Sequence, residues 1–153
     1  MRLESTFTLK APIQKVWDIL FDPETLLSCI PGAEEIEQLD DRTYDCLVKQ
    51  KVGPISARFK FKATLTKIEP PNEIEFEGEG QDIGIARGGQ LRLKSKVNLK
   101  EMPDGAVEVS YVSDITVVGK FATFGERIMR AKAKEIEKEL TERLENRLKS
   151  LAS

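Results

Sequence analysis

Glu73-Ile74-Glu75-Phe76-Glu77-Gly78-Glu79-Gly80 alternates without a slip, with four acids on one face and Ile74, Phe76 and two glycines on the other. A period of two over this length reads as a half-buried strand. Its charged face is purely acidic, and the segments before and after it carry the opposite sign. Residues 55–65 set Arg58, Lys60 and Lys62 against Ile55, Ala57, Phe59, Phe61, Ala63 and Leu65. Residues 91–99 set Arg92, Lys94 and Lys96 against Leu91, Leu93, Ser95, Val97 and Leu99. Opposite charges facing each other across strands stabilise by roughly 0.2–1 kcal/mol per pair, and like charges repel. An antiparallel meander with the acidic strand in the middle satisfies all three faces. An anion-binding basic strip is the lesser alternative, because the acidic ladder neutralises it.

Turn signals at Asp40-Asp41, Gly53-Pro54, Pro70-Pro71-Asn72, Gly88-Gly89 and Pro103-Asp104-Gly105 bound these strands and others. Residues 43–52 place Tyr44, Cys46, Val48, Gln50 and Val52 inward; residues 107–117 place Val107, Val109, Tyr111, Ser113, Ile115 and Val117 inward. At the N-terminus Leu3, Ser5, Phe7 and Leu9 alternate with polar residues. Pro12 then opens a short helix striped by Val16, Trp17, Ile19 and Leu20 to about Phe21. Asp22-Pro23-Glu24 reads as the cap, first-turn proline and first-turn acid of a second short helix, stopped by Ile30-Pro31-Gly32. From Lys120 to about Leu151 one long helix carries Ile128, Ile136, Leu140, Leu144 and Leu148, with Phe121, Phe124 and Met129 at its start. Its ~30 residues span roughly 45 Å, and a spacing of four drifts off a heptad seam, which favours packing across a sheet over a coiled coil. The order is strand, two short helices, six strands and a long terminal helix. This is an α+β domain over residues 1–153, with helices on one face of an antiparallel sheet. With the sheet strongly curved, the helix closes a concave space.

Composition removes whole classes of chemistry. The 153 residues include 24 basic and 26 acidic ones, a net charge of −2, which argues against a nucleic-acid partner. There is no histidine, so Ser-His-Asp triads, Cys-His dyads and histidine metal sites are absent. Cys29 and Cys46 make no zinc site alone and at most one disulfide, so a reduced cytoplasmic compartment is expected. No run of ~18 apolar residues occurs, no apolar stretch follows Met1, and Lys149-Ser150-Leu151-Ala152-Ser153 carries no lipidation box. A soluble protein is expected, with any membrane contact peripheral.

The inward faces break the rule for a solid core. Ser5, Cys46, Gln50, Ser95 and Ser113 fall in phase with core residues, and Ala57, Ala63, Gly78 and Gly80 leave volume. Buried polar groups need partners, and apolar walls with a few polar groups suit a small-molecule pocket. The plainer reading is that these residues face the sheet ends or that the phase slips at a bulge. Candidate wall residues are Phe7, Phe59, Phe61, Phe76, Leu93, Tyr111, Phe121, Phe124 and Met129; Trp17 is read first as core. The glycine-rich stretch 78–89 leads into a strand and lacks the G-x-G-x-x-G spacing, so it is a loop at the rim and not a phosphate cradle. With Gly119–Gly125 it frames one mouth, unless both are ordinary turns. Gly84, Arg87, Gly88 and Lys120 are the candidate rim, where Arg87 and Lys120 would meet an acidic or carbonyl head group. Asp82 and Asp114 are the only carboxylates considered near the mouth. No catalytic constellation and no metal site emerges.

Several blocks together resemble one family. Ala11-Pro12-Ile13-Gln14-Lys15-Val16-Trp17, Asp22-Pro23-Glu24, Cys29-Ile30-Pro31-Gly32-Ala33-Glu34, Lys51-Val52-Gly53-Pro54-Ile55-Ser56-Ala57-Arg58-Phe59, the loop 78–89 and Gly119-Lys120-Phe121-Ala122-Thr123-Phe124-Gly125-Glu126-Arg127 are similar to the CoxG family, the carbon monoxide dehydrogenase G-subunit family, in the same order. The resemblance implies the START-like helix-grip (SRPBCC) fold, a seven-stranded curved sheet wrapped around a long C-terminal helix and a hydrophobic cavity. It further implies an accessory role beside a molybdenum hydroxylase of the carbon monoxide dehydrogenase type, through membrane recruitment or electron-acceptor supply. A quinone or a lipid would fit such a cavity, and no other cofactor is expected. Many members continue into a membrane-contacting end beyond this helix, which these residues do not include. A cyclase- or hydrolase-like enzyme on the same fold and a pure assembly factor are the alternatives.

Overall fold

Strand β1 (Arg2–Leu9) pairs not with the strand that follows it but with the last one, β7 (Val107–Val118), from Arg2↔Asp114 to Leu9↔Val107. After β1 the chain crosses through helices α1 (Ile13–Leu20) and α2 (Pro23–Cys29) to β2 (Ala33–Gln38) at the opposite edge. It then runs as a meander through β3 (Thr43–Val52), β4 (Ile55–Glu69), β5 (Glu73–Asp82) and β6 (Gln90–Glu101) to β7. The structure, a computed structural model, describes residues 1–84 and 88–152. Among the described residues seven strands make one curved antiparallel sheet, ordered β1-β7-β6-β5-β4-β3-β2, with a long helix α3 (Gly125–Ala152) across its inner face.

The charge pattern sets the register as expected. Glu75, Glu77 and Glu79 of β5 face Lys96, Lys94 and Arg92 of β6, and on the other side Glu79 faces Lys62 and Glu75 faces Lys67 of β4. Arg92 and Lys94 lie 3.8 and 3.6 Å from Glu79 and Glu77, while Lys96 and Lys67 converge on Glu73 at 3.0 and 3.3 Å. The exposed Arg92–Glu79 and Lys94–Glu77 pairs contribute little each; their use is to penalise a slipped register, which would bring like charges together. Arg58 turns away from β5 and grips Glu34 of β2 with two hydrogen bonds of 2.9 and 3.1 Å.

Two boundaries differ from the sequence reading. Pro12 caps α1 from outside, at φ −60° and ψ 145°, and the helix begins at Ile13. The long helix begins at Gly125, because Lys120–Phe124 form a separate 3-10 turn. Gly119 and Gly125, at φ +101° and +79°, bracket that turn, and an α-helix has no room for such a backbone. Asp22 is the α2 cap by position, with Pro23 at the first turn, but its carboxylate accepts the Thr25 hydroxyl at 2.7 Å in place of a backbone N–H.

The inner face divides along its length. At one end Leu9, Tyr44, Leu65, Ile74, Leu99, Val107 and Val109 meet Val16, Trp17 and Ile19 of α1, Cys29 of α2, and Leu144 and Leu148 of α3 in the main core. Trp17 belongs here, its ring 4.9 Å from that of Phe21. At the other end a smaller cluster joins Val52, Ala57 and Phe121 to Ile55, Phe59, Val117 and Phe124. Both cysteines are free thiols, and burial, helped by the Asp45 charge, pushes the half-buried Cys46 thiol up.

Candidate functional site

Under the N-terminal half of α3 the two layers do not meet, leaving a partly open cavity of about 280 Å³. This is roughly nine times a water's ~30 Å³ share of liquid volume. The sheet supplies Leu3 of β1, Val48, Gln50 and Val52 of β3, Phe59 and Phe61 of β4, Leu91 and Leu93 of β6, and Ile115 and Val117 of β7, with Met1 beside them. Each lies on the inward phase of its strand and toward the same end of the sheet. Phe121 and the α3 residues Met129, Lys132, Ala133 and Ile136 form the opposite wall. The spacing 129, 132, 133, 136 is one helical face, which continues through Leu140, Leu144 and Leu148 into the main core. Ala133 stands where that stripe elsewhere carries a long side chain, and its short reach leaves the space between the layers unfilled.

Strand β5 is missing from the wall because Phe61 covers it. A Cβ on Gly78 would stand 2.0 Å from Phe61 Cζ, and one on Gly80 2.9 Å from Phe61 Cδ2. The volume these glycines leave is therefore filled by a neighbouring ring and is not itself part of the hollow.

Of the nine residues expected as walls, Phe59, Phe61, Leu93, Phe121 and Met129 line the cavity. The other four do not. Phe7 and Phe76 pack on the main core, since they sit opposite Val109 and Leu65 at the filled end of the sheet. Tyr111 belongs to neither the cavity lining nor the main core, and its phenol is half-buried near Glu137. Burial first, and then the Glu137 carboxylate, push that phenol far above its ordinary value. Phe124 packs on the smaller cluster, its ring 6.2 Å from Phe121.

Two of the in-phase polar residues satisfy one another. Ser95 and Ser113, opposite each other on β6 and β7, share a hydrogen bond of 2.6 Å. Gln50 alone of that set reaches the cavity, donating from Nε2 to the Pro31 carbonyl at 2.7 Å. Lys132 and Ala133 escaped the sequence reading because neither is a large apolar residue; their i+3 and i+4 offsets from Met129 were the available signal.

The two glycine segments touch. A Cβ on Gly119 would lie 2.8 Å from Gly89 Cα and 3.1 Å from the Gly88 carbonyl oxygen. The base of the loop is pinned by buried Asp82, whose Oδ1 accepts from the Gly84 and Arg58 backbone N–H groups at 2.9 and 3.2 Å. Arg87 lies outside the described residues, and so does the side chain of Lys120. Asp114 does not approach the mouth: it is exposed on the outer face, opposite Arg2 and Lys94, because its place in β7 has the outward phase.

No helix among the described residues is long and apolar enough to cross a membrane. The fold resembles that of a conserved protein from Geobacillus kaustophilus, with a TM-score of 0.89 at 20% identity over 98% of this chain and 96% of that one. A START superfamily protein from Mycobacterium smegmatis gives 0.71 at 13% identity over 98% of both chains. The Zhui aromatase/cyclase from Streptomyces sp. R1128 gives 0.71 at 12% identity over 100% of this chain and 96% of that one. At these identities the likeness is one of fold, the START-like helix-grip. No curated protein matches the sequence significantly. The family model for CoxG, the carbon monoxide dehydrogenase G-subunit, matches residues 6–149, nearly the whole chain, and the chain therefore belongs to the CoxG family.

Proposed function

We propose that the protein binds and carries a lipophilic small molecule, quinone-like or lipid-like, without transforming it, as an accessory to a molybdenum hydroxylase of the carbon monoxide dehydrogenase type. The observation that carries the binding part is the cavity of about 280 Å³ walled by apolar side chains from both layers. Taking ~200 Å² of a guest's apolar surface out of water there would favour binding by about 5 kcal/mol before the costs of association. The volume suits one ring system or a short chain, with any longer tail outside. Among the described lining residues Lys132 is the one ionisable side chain, whereas acid–base or nucleophilic catalysis calls for at least a pair of groups within reach. Family membership supports the accessory role, and the START-like fold supports ligand binding. The touching glycine segments Gly88-Gly89 and Gly119 serve in this reading as the adjustable rim.

The test is mass spectrometry of an organic extract of purified protein, with Ala133→Trp as the filled-cavity control. A lipophilic compound is expected from the native protein and not from the variant. Empty extracts, together with a melting temperature unmoved by added quinones or lipids, would refute the proposal. A pull-down of the dehydrogenase by Ala133→Trp separates carriage from surface assembly, since only an assembly factor works with its cavity filled.

A further inference from the structure

Resting on the binding reading above, we infer that the guest enters by a hydrocarbon end, an alkyl or isoprenoid chain, and that its polar head stays outside the cavity. The surface that the described lining residues turn toward the hollow is wholly apolar. Two of those residues are polar, and both direct their polar atoms elsewhere. The Gln50 amide donates to the Pro31 carbonyl at 2.7 Å, and the Lys132 ammonium is paired with Glu135. They border the hollow with carbon alone. Of the other inward polar side chains, Ser95 and Ser113 bond to each other and do not line the cavity. The backbone of the wall strands β4 and β6 is taken up by a ladder on each side. A carbonyl, hydroxyl or charged group carried into this space gives up water and finds no partner, which weakens binding by roughly tenfold or more. A methylene chain suffers no such loss. The cavity of about 280 Å³ holds roughly nine methylene-sized groups. A quinone of the kind proposed above therefore enters by its tail and not by its ring, whose two carbonyl oxygens would be stranded.

The experiment sets 1,2-decanediol against 1,10-decanediol as competitors of the fluorescent apolar probe N-phenyl-1-naphthylamine on native protein. These isomers differ only in where the second hydroxyl sits: beside the first, or at the end that must go in. The 1,2-isomer is expected to compete about tenfold better than the 1,10-isomer. Decanoate is expected to exceed 10-hydroxydecanoate by a similar factor, because the far end of the chain decides the ratio whatever the head. Equal competition within both pairs would show that the cavity accepts a polar end; it would overturn the inference and leave the cavity's binding role standing. Ala133→Trp is expected to lose the probe and the competitors together, and undiminished binding there would place the site elsewhere and overturn both readings. If neither the probe nor any competitor binds native protein, the binding reading falls and this inference falls with it.

Discussion

Gly78→Ala would drive a methyl group into the ring of Phe61. The new Cβ would sit 2.0 Å from Phe61 Cζ and 2.8 Å from both Cε atoms, about 1.4 Å short of the nearest ordinary contact. The backbone offers no escape, because Ala63↔Gly78 and Phe61↔Gly80 are paired within a ladder that continues on both sides. The ring's open side is the cavity, so the ring must move there. One face of an aromatic side chain is about a quarter of its ~200 Å² surface, so the displacement removes roughly 70 Å³ of the cavity's 280 Å³. That equals about two water-sized or methylene-sized groups, which corresponds to ~1.6 kcal/mol and a roughly 15-fold weaker grip on a probe that fills the site. Overpacking of this kind also costs about 1–3 kcal/mol of stability, a melting-temperature drop of roughly 2–12 °C for a chain of this size. The assay is titration with N-phenyl-1-naphthylamine alongside thermal unfolding. A second substitution, Phe61→Leu, should return most of both losses. Unchanged affinity and an unchanged melting temperature in Gly78→Ala would refute the idea that Phe61 is held against the glycines.

Two further outcomes test polar groups on the inward phase of their strands. Ser95→Ala strands the Ser113 hydroxyl in a nearly closed site and should cost about 1–3 kcal/mol in urea unfolding; Ser95→Ala/Ser113→Ala should cost less than the two singles added, and strict additivity would show that the pair is not coupled. The Tyr111 phenol is raised above its ordinary 10.0, so its stabilising contribution is whole below that value and is lost as pH climbs through the raised one. Tyr44, Cys46 and Lys67 are shifted in the same direction, so stability should decline across the alkaline range, and Tyr111→Phe should flatten its upper part. An identical pH–stability curve in Tyr111→Phe would count against the buried phenol–carboxylate contact.

The sheet was the most legible part of the chain. Four glutamates at every second position, flanked by two basic ladders, admit one economical arrangement, and the pairings Glu77↔Lys94 and Glu79↔Arg92 follow from it. The helix boundary near Lys120 was less legible, since apolar periodicity does not distinguish a 3-10 turn from the first turn of an α-helix. The cavity walls were legible by face and not by depth. Phe7 and Phe61 look alike in their strands, yet one packs on the main core and the other lines the hollow. The hydroxyls that hinted at a hollow proved a poor guide, because Ser95 and Ser113 find each other across the ladder.

From the order of residues alone came the buried face of every strand but β2, the neighbours of the acidic strand, and a long helix with an apolar stripe, because these depend on local period and on the sign of charge. Where that helix stops touching the sheet is another matter. It depends on the sheet's curvature and on which α3 turn lies above each strand: Leu144 and Leu148 close the core, while Ala133 and Lys132 roof the cavity. A two-residue repeat records which way a side chain points, but the distance to whatever faces it exists only once both layers are assembled.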